Sequence, residues 1–139
     1  MTGMTNVLPY DLPNGVNARI ALFAIRRMGA HGLADARAAH ALFTAFGEMF
    51  RRPLVLLRTL MADLASTATG SIAIAPCCCA RMTHAEAALV DVLARGTDDP
   101  ARARLLLADL TGVRHVDGLL ATVAVLASAF ADAGRPITA

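Results

Sequence analysis

Apolar positions recur along most of this chain with the three- and four-residue spacing of a helix buried on one face. Residues 20–25 are apolar all round, the pattern of a helix covered on more than one side. Asn17 is a candidate N-cap for a first helix running to about Met28, with Gly29 at its end. A turn at 30–32 follows, and then a second helix from about Leu33 to Phe46 with Leu42, Phe43 and Phe46 as its core stripe. Gly47 closes it. Pro53 at a first helical position opens a third helix to about Ala65, with Leu54, Leu57, Met61 and Leu64 inward. Ser66–Ser71 read as a polar loop, and 72–74 are too short to assign as strand or extended chain.

Downstream the signals sharpen. Thr83-x-x-Glu86 is a capping box, in which hydroxyl and carboxylate reciprocally satisfy free backbone N–H groups. The helix it starts carries Leu89, Val92 and Leu93 inward and stops at Gly96. Asp98-Asp99-Pro100 starts a fifth helix to about Leu110, ended by Thr111-Gly112. A last helix from about Arg114 to Ala131 places Val116, Leu120, Val123, Ala127 and Phe130 on one face. By contrast, residues 1–16 contain Pro9, Pro13 and Asn14-Gly15 and lack periodicity, so they read as an extended arm that Val7, Leu8 and Tyr10 could anchor. The pattern predicts an all-α fold, a single-domain bundle or orthogonal array of five to six helices over residues 17–139.

Composition refines this picture only in places. At 139 residues the chain fits one hydrophobic core. Hydrophobic residues make up 56% of it, yet there are only five Phe, one Tyr and no Trp, so the core is built from Leu, Val, Ile and Ala. A net charge of +2, with no basic stripe carrying interleaved aromatics, argues against nucleic acid. The longest strongly apolar helical stretch, 118–131, is shorter than the roughly 20 residues a bilayer needs. No apolar leader opens the chain and the cysteine count is odd, which points to a reducing, cytoplasmic setting. The excess of apolar helix surface suggests a homo-oligomer or a protein partner. There is no carboxylate pair, nucleophile elbow or phosphate-binding loop, so a conventional acid–base enzyme is disfavoured.

The candidate chemistry is concentrated in one place. All three cysteines, Cys77, Cys78 and Cys79, are contiguous after Pro76. Thiolates are nucleophiles and soft-metal ligands, so the cluster suggests either a thiophilic ion such as Cu or Zn, or thiol redox sensing. His84 could complete a metal site. Arg81 and His84 are both close in sequence, and cationic neighbours favour the thiolate. A zinc finger is disfavoured because paired C-x₂-C spacing is missing, and an iron–sulfur cluster because four thiolates are usual. The competing reading makes the cysteines packing residues of a non-catalytic structural or interaction module. Arg51-Arg52, before Pro53, form a second and weaker candidate, an anion site at a helix N-terminus. Arg26-Arg27 read as cations at a helix C-terminus.

The order Asn17-Ala-Arg, Phe23-Ala-Ile-Arg-Arg-Met28, Phe50-Arg-Arg-Pro-Leu54, Ala75-Pro-Cys-Cys-Cys79 and Arg81-Met-Thr83 resembles a small bacterial family of unknown function, with a likeness over most of residues 7–137. The resemblance implies a complete small protein and not a fragment of an enzyme. It implies no activity, cofactor or site residue.

Overall fold

The computed structural model describes residues 8–138. Among these the chain forms six α-helices and one minimal two-stranded sheet. The helices are α1 (Val16–His31), α2 (Ala36–Phe46), α3 (Arg51–Thr67), α4 (His84–Arg95), α5 (Pro100–Thr111) and α6 (Asp117–Asp132). Sequential neighbours pack as hairpins, α1 with α2 and α4 with α5, while α3 lies against α6 and α1 also touches α3 and α4. The all-α class expected from periodicity is therefore the observed one. Residues 1–7, including the anchoring role assigned to Val7, lie outside the described part.

One core serves all six helices. Ile25, Leu42, Leu57, Leu60, Leu89, Leu93, Leu107, Leu126 and Phe130 are its largest fully buried apolar side chains. Phe130 meets Phe46 edge-on, with centroids 4.9 Å apart. Two stripes are rotated from expectation. In α3 the inward position is Leu60, and Met61 is only partly covered. In α6 the buried set is Leu119, Val123, Leu126, Ala129 and Phe130, with Leu120 displaced to the margin.

The helix boundaries show which local signals govern and which yield to distant contacts. Thr83, Asp99 and Gly112 act as the sequence indicates: Thr83 and Asp99 accept from Glu86 N and Arg102 N, and Gly112 ends α5 with a left-handed φ of 76°. Asp35 is a side-chain cap that the pattern misplaced, accepting from Ala38 N, so α2 starts at Ala36 and not Leu33. Asn17 is not a cap. α1 begins at Val16 behind Gly15, and the Asn17 amide instead donates to Pro136 O and accepts from Arg135. Nor does Gly29 end α1, which continues to His31; Gly29 sits inside the helix, where a Cβ would come within 3.3 Å of Ile74. α6 starts at Asp117, three residues later than the pattern suggests.

A 3₁₀ turn, Gly47–Phe50, runs directly into Arg51, so the N-terminus of α3 is the continuation of another helical turn. Tyr10–Asp11 (β1) pair antiparallel with Arg81–Met82 (β2), Tyr10 opposite Met82 and Asp11 opposite Arg81. That pairing lays the arm beside the segment that carries the cysteines. Residues 72–74 form no strand.

Candidate functional site

The segment from Ala73 to Thr83 leaves the helical body and returns to it, and one buried ion pair holds both of its ends. Glu86, in the first turn of α4, is fully buried, as is Arg26 of α1. The Arg26 guanidinium donates from Nε to Glu86 Oε2 at 2.7 Å and from Nη2 to Oε1 at 3.0 Å, a two-pronged geometry that suits the planar fork. Two further N–H groups reach backbone carbonyls, Cys79 O at 2.8 Å and Arg81 O at 2.7 Å. Glu86 in turn accepts from Ala75 N at 3.1 Å and Thr83 N at 2.9 Å. The Thr83 hydroxyl donates to Ala73 O at 2.7 Å while accepting from Glu86 N.

These bonds explain how two charges can lie in an apolar core. Burial of an unpaired charge is prohibitive, but here each carboxylate oxygen has two donors and the guanidinium has four acceptor contacts. Among the described residues no buried side-chain nitrogen or oxygen lacks a partner. The capping box seen in the sequence is thus half of a larger device. Glu86 caps its helix and also anchors α1 and the cysteine segment.

Above this anchor, Pro76–Cys79 form a tight turn closed by Cys79 N to Pro76 O at 3.1 Å. Cys78 is exposed, Cys77 and Cys79 are half-buried, and all three are free thiols. Among the described residues no three His, Cys, Asp or Glu side chains are grouped so as to hold a metal ion.

Arg81 and His84 lie elsewhere than the sequence suggests. The Arg81 guanidinium faces the N-terminal arm, donating to Leu8 O at 2.9 Å and Pro9 O at 2.7 Å and pairing with Asp11. His84 Nδ1 is 3.1 Å from the Tyr10 hydroxyl. Both residues therefore fasten the arm to the site, and the cationic neighbour of the cysteines is instead Arg27. This guanidinium is held above its ordinary pKa, first by its bond to Asp35, against the cost of desolvation, and in smaller part by the Cys77 sulfur. Asp35 is correspondingly lowered from 3.8 to about 2, first by Arg27, with desolvation opposing and the Ala38 N–H assisting. Of the two arginines considered for an anion site, Arg51 lies over the Phe50 ring at 5.9 Å and Arg52 approaches Asp132 at 3.4 Å on the surface.

Beside the turn, an apolar cavity of about 490 Å³ opens between the C-terminal halves of α1 and α3 and the segment 70–76. Gly29, Met61, Ala65, Ala68 and Ile74 are among its walls, and Pro76, the residue before Cys77, closes one side. Arg26 borders it, with four of its five guanidinium N–H groups already committed to the bonds described above.

Sequence reasoning found the cysteines and the capping box but missed Arg26 and Arg27 as site residues. The local signal was a pair of arginines following the apolar run 20–25, the first of them at a position whose helical neighbours Leu22 and Ile25 are core.

Fold and site together define a small six-helix protein that presents a surface thiol cluster on a turn anchored by a buried Arg–Glu pair. The chain belongs to a family of unknown function, DUF6628, whose model matches residues 3–121 and so includes the whole turn and its anchors. No curated protein and no solved structure matches it.

Proposed function

We propose that the Pro76–Cys79 turn is a thiol redox site in which Cys77 is the reactive sulfur and Cys79 resolves it. The observation that carries this reading is the placement of the turn: three free thiols, Cys78 exposed and Cys77 and Cys79 half-buried, on a backbone held from below by Arg26. The thiolate is the form of cysteine that attacks a peroxide. The thiolate sulfur takes the terminal oxygen of the peroxide, the O–O bond breaks, and the departing oxygen leaves with the bonding pair and takes up a proton. The sulfenic acid then condenses with Cys79 or with a thiol of another molecule, forming the S–S bond and releasing water.

The test is thiol counting before and after one equivalent of peroxide, with mass spectrometry to locate the product and metal analysis on anaerobically purified protein. Loss of two thiols and a Cys77–Cys79 or intermolecular disulfide supports the reading. Three thiols unchanged by oxidant would refute it. A stoichiometric copper or zinc ion lost on Cys→Ser substitution would replace it with a soft-metal site formed by sulfurs of the turn and an outside ligand.

A second reading, an interaction module that self-associates, draws on a different face. Phe43, Met49 and Val55, on α2, the 3₁₀ turn and α3, are each at least 50% exposed. Solution mass of Met49→Asp against the parent distinguishes the two, since redox chemistry at Cys77 does not require that face.

A further inference from the structure

The apolar face made by α2, the 3₁₀ turn and α3 carries positive charge, and that charge narrows what can cover it. Phe43, Met49 and Val55 are each at least half exposed, and Phe43 meets Phe50 edge-on with centroids 5.3 Å apart. None of the three lines the cavities of about 400, 470 and 490 Å³ found elsewhere in the molecule; they protrude. Arg51, Val55 and Arg58 stand at i, i+4 and i+7 of α3, so a cation flanks Val55 on each side along one stripe. Arg51 lies over the Phe50 ring at 5.9 Å. Arg58 Nε donates to Leu33 O at 2.8 Å, which holds its guanidinium beside the chain entering α2. The acids of the same stretch are turned to other helices. Asp35 is bound by Arg27 of α1, and Asp63 accepts from Thr122 of α6. Of the acids between residues 33 and 67 this leaves Glu48, next to Met49. Among the described residues neither Arg51 nor Arg58 is paired with a carboxylate.

We propose that this face docks on an anionic lipid surface, with Phe43, Met49 and Val55 entering the headgroup boundary and Arg51 and Arg58 against lipid phosphates. The proposal is independent of the thiol chemistry. Apolar side chains among cations suit such an interface, where buried apolar area and attraction to anionic lipid act together. An arginine stem lies along apolar surface while its charged head stays among the headgroups. Three partly exposed side chains bury less apolar surface than one acyl chain, which by itself anchors only marginally, so the anionic charge is required. Other occupants fit less well. A second copy meeting this face about a two-fold axis would bring the same patch, and so arginine against arginine, together. A nucleic acid would meet the arginines and leave the three apolar side chains in water. A protein partner would need a preformed surface shaped to three protruding side chains, whereas fluid lipid closes around them.

The experiment is co-sedimentation of the full chain with vesicles of phosphatidylcholine alone and of phosphatidylcholine mixed with phosphatidylglycerol, alongside solution mass without vesicles. Binding to the mixed vesicles only, weakened by added salt, is the expected result. Arg51→Gln with Arg58→Gln should weaken it on the order of twentyfold, about fivefold for each arginine. Met49→Asp should weaken it by about tenfold or more. Leu105→Asp, at a 72% exposed position of α5, should leave it unchanged, and thermal unfolding of each variant checks that the fold is intact. Absence of binding to the mixed vesicles would overturn the proposal, and so would equal binding to phosphatidylcholine alone. Binding that Leu105→Asp weakens as much as Met49→Asp would do the same, since the face would then have no special part in it. A dimer that Met49→Asp dissociates, without vesicle binding, would assign the face to self-association instead.

Discussion

Glu86→Gln is the most direct test of the anchor. The substitution keeps the shape of the side chain and removes its charge. It also replaces one acceptor oxygen by an amide N–H₂, which cannot accept from any of the four donors that converge on the carboxylate. Whichever way the amide turns, it faces either Arg26 and Ala75 N or Arg26 and Thr83 N with a donor. Arg26 is left buried and without its counter-charge. Removing one partner of a buried pair costs about 3–5 kcal/mol. Against a typical domain stability of about 5–15 kcal/mol, that is a large fraction of the whole.

Urea unfolding of the parent and the variant measures the cost directly, and the rate of cysteine alkylation reports on the turn. Both should change, with alkylation accelerating because Cys79 O and Arg81 O lose a fixed donor. Replacing the pair by apolar residues, Arg26→Met with Glu86→Leu, sharpens the test. An isolated buried pair can often be exchanged this way at no cost. Here the exchange also orphans Ala75 N, Thr83 N, Cys79 O and Arg81 O, each at about 1–3 kcal/mol where water cannot reach it. The double variant should therefore stay below the parent by about 2 kcal/mol or more, with fast alkylation. Glu86→Gln within about 1 kcal/mol of the parent, with unchanged alkylation, would refute the argument.

Three further outcomes follow from the same structure. Asp35 has a folded pKa of about 2 against 3.8, so the unfolded chain binds more protons over that interval; its contribution is complete above about pH 3.8 and lost as pH falls through about 2. Asp35→Asn, which keeps a good N-cap, should flatten the acid limb of stability against pH, and parallel limbs would contradict this. Arg81→Ala should free the arm without unfolding the core: hydrogen exchange should rise over residues 10–12 while global stability falls by less than about 1 kcal/mol, as for a mostly exposed pair, and unchanged exchange would show the arm held by other contacts. Gly112→Ala places a Cβ 2.5 Å from Thr69 Oγ1 at a φ of 76°, so thermal or urea unfolding should show a loss of about 1–3 kcal/mol; a neutral result would mean that Thr69 yields freely.

The parts of this molecule that were legible in advance are those decided within a few residues. Thr83 and Glu86 are three apart, Asp99 stands directly before Pro100, and Gly47 and Gly112 directly follow the last residue of their helices; each performs as its local chemistry dictates. Where a side chain had a better partner far away, the local reading gave way. Asn17 has cap chemistry but spends it on residues 118 and 119 positions away. Arg26 stands near a helix C-terminus, where a cation is ordinary, yet its partner is 60 positions on in α4. The cysteines announced the site by their contiguity. Nothing in a one-dimensional pattern indicated that Arg27 would be their neighbour, or that Arg81 and His84 would turn to the arm. The register error in α6 has a similar origin: alanine fills so many of its positions that several stripes are nearly equivalent, and only packing against α3 selects one.

The bonds at Glu86 also make a closed ring of the segment they bound. Ala75 N and Thr83 N meet on the same carboxylate, and Ala73 O is tied back to Thr83, so the residues between are an excursion whose two feet stand on one stone. What the excursion contains is then largely independent of what holds it. A foreign peptide of equal length could replace residues 77–80 and be displayed in a fixed frame, provided a carbonyl is presented to Arg26 at the place of Cys79. The same arrangement would let related chains exchange the chemistry of the turn while keeping the helical body intact.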